Sequence, residues 1–125
     1  MAVNYNAALK SSRMQAVIAA IDAGAGPGTL EICTAAYATI LASIALADPS
    51  FTEAGGVITM AGAPRSDPSA DNGGTAALAR IKDSNGVTVV DGLTVGVGSG
   101  DVQLNSINIP QGQSVTITSG TISHA

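Results

Sequence analysis

The sequence contains very few aromatic and charged residues. Its 125 residues include two tyrosines, one phenylalanine and no tryptophan, and charged residues make up 11% of the chain. An ordinary soluble domain has about 25% charged residues. Small apolar residues bury little area each, and hydrophobic stabilisation is about 25 cal/mol per Å² of buried apolar surface. We therefore expect modest stability for an isolated copy and a gain on association; an ordinary small β-sandwich is the alternative.

Basic residues, cysteine and histidine are also scarce. The formal net charge is −4 and the five Lys and Arg residues are scattered, whereas nucleic-acid binding needs clustered positive charge. The single cysteine, Cys33, cannot form an internal disulfide and is predicted to pack as a small hydrophobe. The single histidine, His124, is next to the C-terminus, where it positions no base for a nucleophile. We predict no nucleic-acid partner, no catalytic or metal site, no cofactor and no enzymatic activity.

No apolar run approaches the ~20 residues that span a bilayer, so no membrane partner is predicted. Residues 14–21 follow Lys10 and Arg13 and could pass for the apolar part of a signal peptide. Gln15 and Asp22 interrupt that pattern, and a helix explains it better.

Residues 6–23 are predicted to form one amphipathic helix. Asn6 can cap its N-terminus, and Gly24 follows as a residue suited to its C-terminal end. Four large apolar side chains recur at the spacing of one helix face: Met14, Val17, Ile18 and Ile21. This face is predicted either to contact a neighbouring subunit or shell, which makes these four the candidate interaction residues, or to cover the chain's own sheet.

The strongest strand signal is a hairpin in residues 74–93, with the turn-forming sequence DSNG at 83–86. Short strands are also predicted at 29–34, 40–47, 57–61, 102–109 and 114–118, with residues 121–123 continuing as an edge segment and loops at 49–54 and 62–74. Segment 40–47 is rich in alanine and could be a helix, but its length and the Asp-Pro that follows favour a strand.

These patterns predict a mainly β fold: an antiparallel β-sandwich or partly closed barrel with one N-terminal helix. We predict a single domain spanning 1–125, with the helix at 6–23 and the β part at 29–125.

Two loops superficially resemble ligand sites. Residues 96–100 (GVGSG) resemble a phosphate loop, but such a loop must open a helix and the following residues have the pattern of a strand, so a hairpin loop is predicted. Asp67, Asp71 and Asn72 form an acidic loop whose spacing does not match a Ca²⁺-binding EF-hand, so a solvated loop is predicted. Asp83 and Asp91 flank the hairpin, where turn chemistry explains both.

Several motifs occur in order along nearly the whole chain. They are LEI at 30–32, DPSF at 48–51, GGVIT at 55–59, GTAALARIKDSNGVTVVDG at 74–92, DVQLN at 101–105 and GQSVTITS at 112–119. Together they resemble a widespread group of small virion-associated structural proteins of tailed bacteriophages and prophages. The hairpin of that family often carries aromatics where this chain has Leu78 and Ala79.

The resemblance implies a non-enzymatic virion structural protein, first of all a capsid decoration (cement) protein that binds the outer shell as a homo-oligomer and stabilises the head. Its expected partners are the major capsid protein, or tail proteins, and further copies of itself. Its expected location is the capsid surface of the virion, after synthesis in the host cytoplasm. The alternatives are a tail or collar component and a virion-surface carbohydrate-binding module, which the scarcity of aromatics disfavours. A small hydrolase is disfavoured because a His/Asp/nucleophile set is missing.

Overall fold

A computed structural model describes residues 5–24, 26–47 and 49–123. His124 lies outside the described residues. The helix is α1 (Ala7–Ile21), and a short 3₁₀ turn follows at Ala35–Tyr37. The strands are β1 (Thr29–Cys33), β2 (Ile40–Ala45), β3 (Phe51–Ala54), β4 (Val57–Met60), β5 (Arg65–Asp67), β6 (Gly74–Thr75), β7 (Leu78–Lys82), β8 (Thr88–Gly96), β9 (Val102–Leu104), β10 (Asn108–Ile109) and β11 (Val115–Ser123).

Most strands belong to one curled sheet. Its order is β2-β1-β7-β8-β9-β11-β4-β3, and β5 pairs with β11 as a ninth strand, while β6 and β10 form a separate pair. The central β7–β8 hairpin turns at residues 83–86, where Asp83 Oδ1 accepts hydrogen bonds from Asn85 N at 2.9 Å and Val87 N at 3.0 Å. The predicted hairpin and the mainly β, partly closed barrel are confirmed.

The sheet curls so far that β5, which pairs with β11, comes close to β2, the first strand in the sheet order. Side chains bridge the two strands: Arg65 Nε donates to the Ala45 carbonyl at 2.6 Å, and Ser43 N donates to Asp67 Oδ2 at 3.1 Å. Asn72 Nδ2 donates to the Ile40 carbonyl at 2.9 Å. We call this junction the β2–β5 seam. It satisfies backbone groups of an edge strand that water or another strand would otherwise take up.

The interior is filled almost entirely by aliphatic side chains. The largest fully buried ones are Ile21, Leu30, Ile32, Leu41, Ile44, Leu46, Ile58, Ile81, Leu104, Ile117, Val102 and Val115. On β7, Ala79 and Ile81 are buried while Leu78, Arg80 and Lys82 are partly exposed. This alternation is what a strand with one face on a core requires.

Several predicted loops and strand boundaries are wrong. The predicted loop 49–54 contains β3, because Gly55 and Gly56 adopt φ of +61° and +83° and join β3 to β4 through a two-residue turn. The predicted loop 62–74 contains β5 and the first residue of β6. The predicted strand 102–109 is divided into β9 and β10. Residues 121–123 continue β11 inside the sheet, paired with β4, rather than forming an edge.

The hairpin predicted at residues 96–100 is also wrong, since β8 and β9 run parallel, with Val95 opposite Val102. The connection makes a complete turn, using Gly98 and Gly100 at φ of +71° and +89°. Asp101 closes it: its Oδ2 accepts from Thr94 N and Oγ1 at 3.1 and 3.2 Å. The short connection at residues 97–101, closed by Asp101, thus joins two parallel strands that normally need a long crossover.

Candidate functional site

The helix face predicted to be an interaction site packs against the chain's own sheet. Asn6 Oδ1 caps α1 by accepting from Leu9 N at 2.8 Å, as predicted. Met14 and Ile21 are buried, and Val17 and Ile18 are half-buried against the same core. Contact of this face with a partner stays a prediction, and Val17 and Ile18 are the two members with surface left for it.

Two carboxylates fasten α1 to the β3 segment. Glu53 Oε2 accepts from Ser11 Oγ at 3.0 Å and from Gly56 N at 2.9 Å, and Glu53 Oε1 accepts from Gln15 Nε2 at 3.2 Å. These hydrogen bonds lower the pKa of the Glu53 carboxyl, and the one from Gly56 N has the largest effect. At the other end of the helix, both Asp22 carboxylate oxygens accept from Ser50 N at 3.2 Å. The buried face is therefore held at two points.

The outward face of α1 is also largely apolar. It exposes Leu9, which is 43% accessible, and the alanines Ala8, Ala16, Ala19 and Ala20. Ser12 and Arg13 are exposed on the same face, and the Arg13 guanidinium carbon lies 4.8 Å from the centre of the Tyr5 ring. A helix with apolar residues on both sides is typical of an element that is covered on both sides.

An ion-paired cluster that the sequence did not reveal lies on the outer face of β1 and β7. The strand register places Glu31 directly opposite Arg80. Glu31 Oε1 accepts from Arg80 Nε at 2.7 Å, and Lys82 Nζ lies 3.3 Å from the same oxygen. The hydrogen bond from Arg80 to Glu31 is the largest cause of a raised Arg80 pKa. Two cations thus share one carboxylate.

A strained turn holds an aromatic ring over this cluster. The Arg80 guanidinium carbon lies 5.3 Å from the centre of the Tyr37 ring, and Tyr37 Oη accepts from Gly92 N. Ala36 and Tyr37 both adopt φ of +57°, which costs about 1–2 kcal/mol per non-glycine residue. Such strain persists only where surrounding contacts fix it. We call Glu31, Tyr37, Arg80 and Lys82 the β1–β7 ion cluster.

Cys33 lies beside this cluster and is fully buried, as predicted. Burial is the main cause of the raised pKa of its thiol, and nearby Arg80 opposes that effect. The thiol is therefore protonated at neutral pH, which makes it a poor nucleophile.

The acidic loop residues serve the structure. Asp67 accepts from Ser43 N across the β2–β5 seam and from Ser69 N at 3.0 Å, and Asn72 donates across the same seam. The predicted solvated loop is thus partly wrong, because Asp67 lies in β5 and is half-buried, whereas Asp71 and Asn72 are exposed as predicted. Within residues 5–24, 26–47 and 49–123, no group of three His, Cys, Asp or Glu side chains is arranged to hold a metal ion.

The described residues enclose a small apolar cavity inside the curled sheet. It lies beside Leu30, Phe51 and Ile81, and it does not admit a water-sized molecule. Among the described residues, no helix has both the length and the apolar character needed to cross a bilayer.

Comparisons with known protein families, with curated proteins and with solved structures gave no match for this chain.

Proposed function

We propose that this chain is a non-enzymatic structural protein of a tailed-phage virion, and specifically a capsid decoration protein. It binds the outer surface of the head as a homo-oligomer and stabilises the shell. Its partners are the major capsid protein and further copies of itself. The ordered strand and turn motifs between residues 30 and 119, which resemble those of virion-associated structural proteins, support this proposal.

The observation that carries it is the outward face of α1. Leu9 and four alanines, with only Ser12 and Arg13 among them, leave a largely apolar helix surface in water, although the opposite face of the same helix packs on the core. A monomer gains no stability from an apolar helix face that stays in water, whereas a subunit gains stability when a neighbour covers that face. Small side chains also permit close approach of a second surface.

The scarcity of charge fits the same role. A surface with few charged groups loses little solvation when it is covered, so each contact with a neighbour adds a modest stabilising term. Repetition over the symmetric shell multiplies that term, because a particle presents many equivalent positions.

Deletion of the gene tests the proposal. Heads without the protein are expected to form and fill, but to release DNA at a lower temperature or in the presence of a chelator. Filled heads that lack functional tails would instead assign the protein to the tail or collar, and an unchanged particle would refute a virion role.

A pair of variants tests the helix face itself in complementation of the deletion. Ala16→Glu places a charge on the outward face of α1 and is expected to prevent incorporation into particles. Val97→Glu places the same charge on an exposed apolar residue of the β8–β9 connection, and is expected to incorporate normally. Equal incorporation of both variants would show that the outward face of α1 is not the contact.

A further inference from the structure

The β1–β7 ion cluster holds an arginine whose hydrogen-bonding capacity is only partly used. Arg80 donates through Nε to Glu31. Its two terminal nitrogens donate to no acceptor in the described part of the chain, and Glu31 is its one salt-bridge partner there. The Arg80 side chain remains 23% accessible. Those terminal nitrogens form a planar pair of donors that matches the two oxygens of a carboxylate.

The guanidinium is also held in place before any partner arrives. Glu31 fixes its Nε edge, the guanidinium carbon lies over the Tyr37 ring at 5.3 Å from its centre, and Gly92 N anchors the Tyr37 hydroxyl. The left-handed turn at Ala36 and Tyr37 holds the ring in this position. An arginine ordered in this way gives up little side-chain freedom on binding, which is the usual advantage of a preformed site.

The charge of the cluster selects the ligand. Arg80 and Lys82 together with Glu31 leave a net charge of +1. A single carboxylate neutralises that charge, whereas a phosphate dianion would over-compensate it and meet repulsion from Glu31. From this geometry we propose that Arg80 binds the carboxylate of an aspartate or glutamate from a protein partner. The contact is bidentate through the two terminal nitrogens of Arg80, and Lys82 lies beside it.

In the proposed assembly, the carboxylate belongs to a neighbouring subunit on the shell, and this identification rests on the proposed function. The binding of a carboxylate by Arg80 does not rest on the proposed function, because Arg80 and the side chains that hold it, Glu31 and Tyr37, belong to the isolated chain. The first test therefore uses purified protein alone.

The three arginines of the chain provide an internal comparison. The Nε–Hε signals of Arg13, Arg65 and Arg80 are followed by NMR during titration with sodium acetate, with sodium chloride added to keep the ionic strength constant. The Arg80 signal is expected to saturate at an acetate concentration about fivefold lower than the Arg13 signal, because the Arg80 side chain is already ordered. The same response at both arginines would overturn the proposal.

Variants then separate the effect of the planar pair of donors from the effect of the positive charge. Arg80→Lys keeps the charge but removes the planar donors, so acetate is expected to lose its site; Arg13→Lys is the matched control on an arginine that also stacks on a tyrosine. Tyr37→Phe removes the anchor to Gly92 and should raise the saturating concentration about two- to fivefold. An unchanged saturating concentration in Tyr37→Phe would refute the explanation that anchored Tyr37 holds the Arg80 guanidinium in place.

Inorganic phosphate is the competing probe. If phosphate saturates Arg80 at a lower concentration than acetate at equal ionic strength, the carboxylate assignment is wrong. Arg80→Lys protein is finally tested for incorporation into particles: reduced incorporation places the carboxylate on a virion partner. Acetate binding in a protein that never enters virions would uphold this inference and refute the proposed function.

Discussion

The two faces of α1 should respond differently to truncation of one side chain each. Met14 lies in the core with 4% of its surface accessible, whereas Leu9 is 43% accessible on the outward face. Both are long apolar residues of the same helix, so replacement by alanine changes helix propensity only slightly in either case.

The expected magnitudes follow from burial. Met14→Ala removes a buried side chain and leaves a cavity, so it should lower the free energy of unfolding by about 2–4 kcal/mol. Leu9→Ala removes partly hydrated surface and should lower it by at most about 1 kcal/mol. Urea unfolding followed by the circular dichroism of the β-sheet and helix measures both values.

Protein concentration separates the monomer from the assembly. At about 1 µM, where association is weak, Leu9→Ala should unfold almost like the unmodified chain; at about 100 µM, the unmodified chain should gain stability by mass action and the variant should gain less. Leu9→Ala destabilising the dilute protein as much as Met14→Ala would refute the assignment of the faces. Loss of less than about 1 kcal/mol in Met14→Ala would refute the packing of α1 on the sheet.

Three further predictions concern single side chains. Asp67→Ala should destabilise the chain by about 1–2 kcal/mol, because it removes two hydrogen bonds including the one to Ser43 N across the β2–β5 seam; Asp71→Ala, at an exposed carboxylate, is the control, and equal urea midpoints would contradict the seam. The Cys33 thiol should react with a thiol reagent only as fast as the chain unfolds, and rapid labelling of the folded protein would contradict its burial. Glu53 has a lowered pKa, so its stabilising effect is present above about pH 4.3 and is lost as the pH falls through its folded value. In Glu53→Gln the melting temperature should therefore fall less steeply as the pH is lowered into the acid range. An unchanged slope would contradict the role of the Glu53 hydrogen bonds in holding α1.

Much of the fold follows from local sequence signals. The Asn6 cap, the spacing of Met14 and Ile21, and the DSNG turn each specify their structure within a few residues, and the structure has all three. Segment 40–47 is a strand despite its alanines because pairing with β1 and burial in the core override weak helix propensity. The Gly55–Gly56 turn is an equally local signal, and its two-residue length could have revealed β3.

The features that sequence reasoning missed depend on contacts between distant residues. The parallel pairing of β8 with β9 relies on a clamp between Thr94 and Asp101 that no spacing rule describes. The β1–β7 ion cluster forms only because the register places Glu31 opposite Arg80, although these residues are far apart in the sequence. The alternation of Arg80 and Lys82 along β7 was the one visible signal, and without the partner strand it indicates only a solvated face.

The most direct test of the proposed function is the number of copies in each particle, measured against the major capsid protein in purified virions. On the order of hundreds of copies are expected, because a decoration protein follows the icosahedral symmetry of the shell. Roughly 60 copies or fewer would place the protein at the tail, the collar or the vertices, where cyclic symmetry governs. Its absence from the particle would contradict a role in the virion.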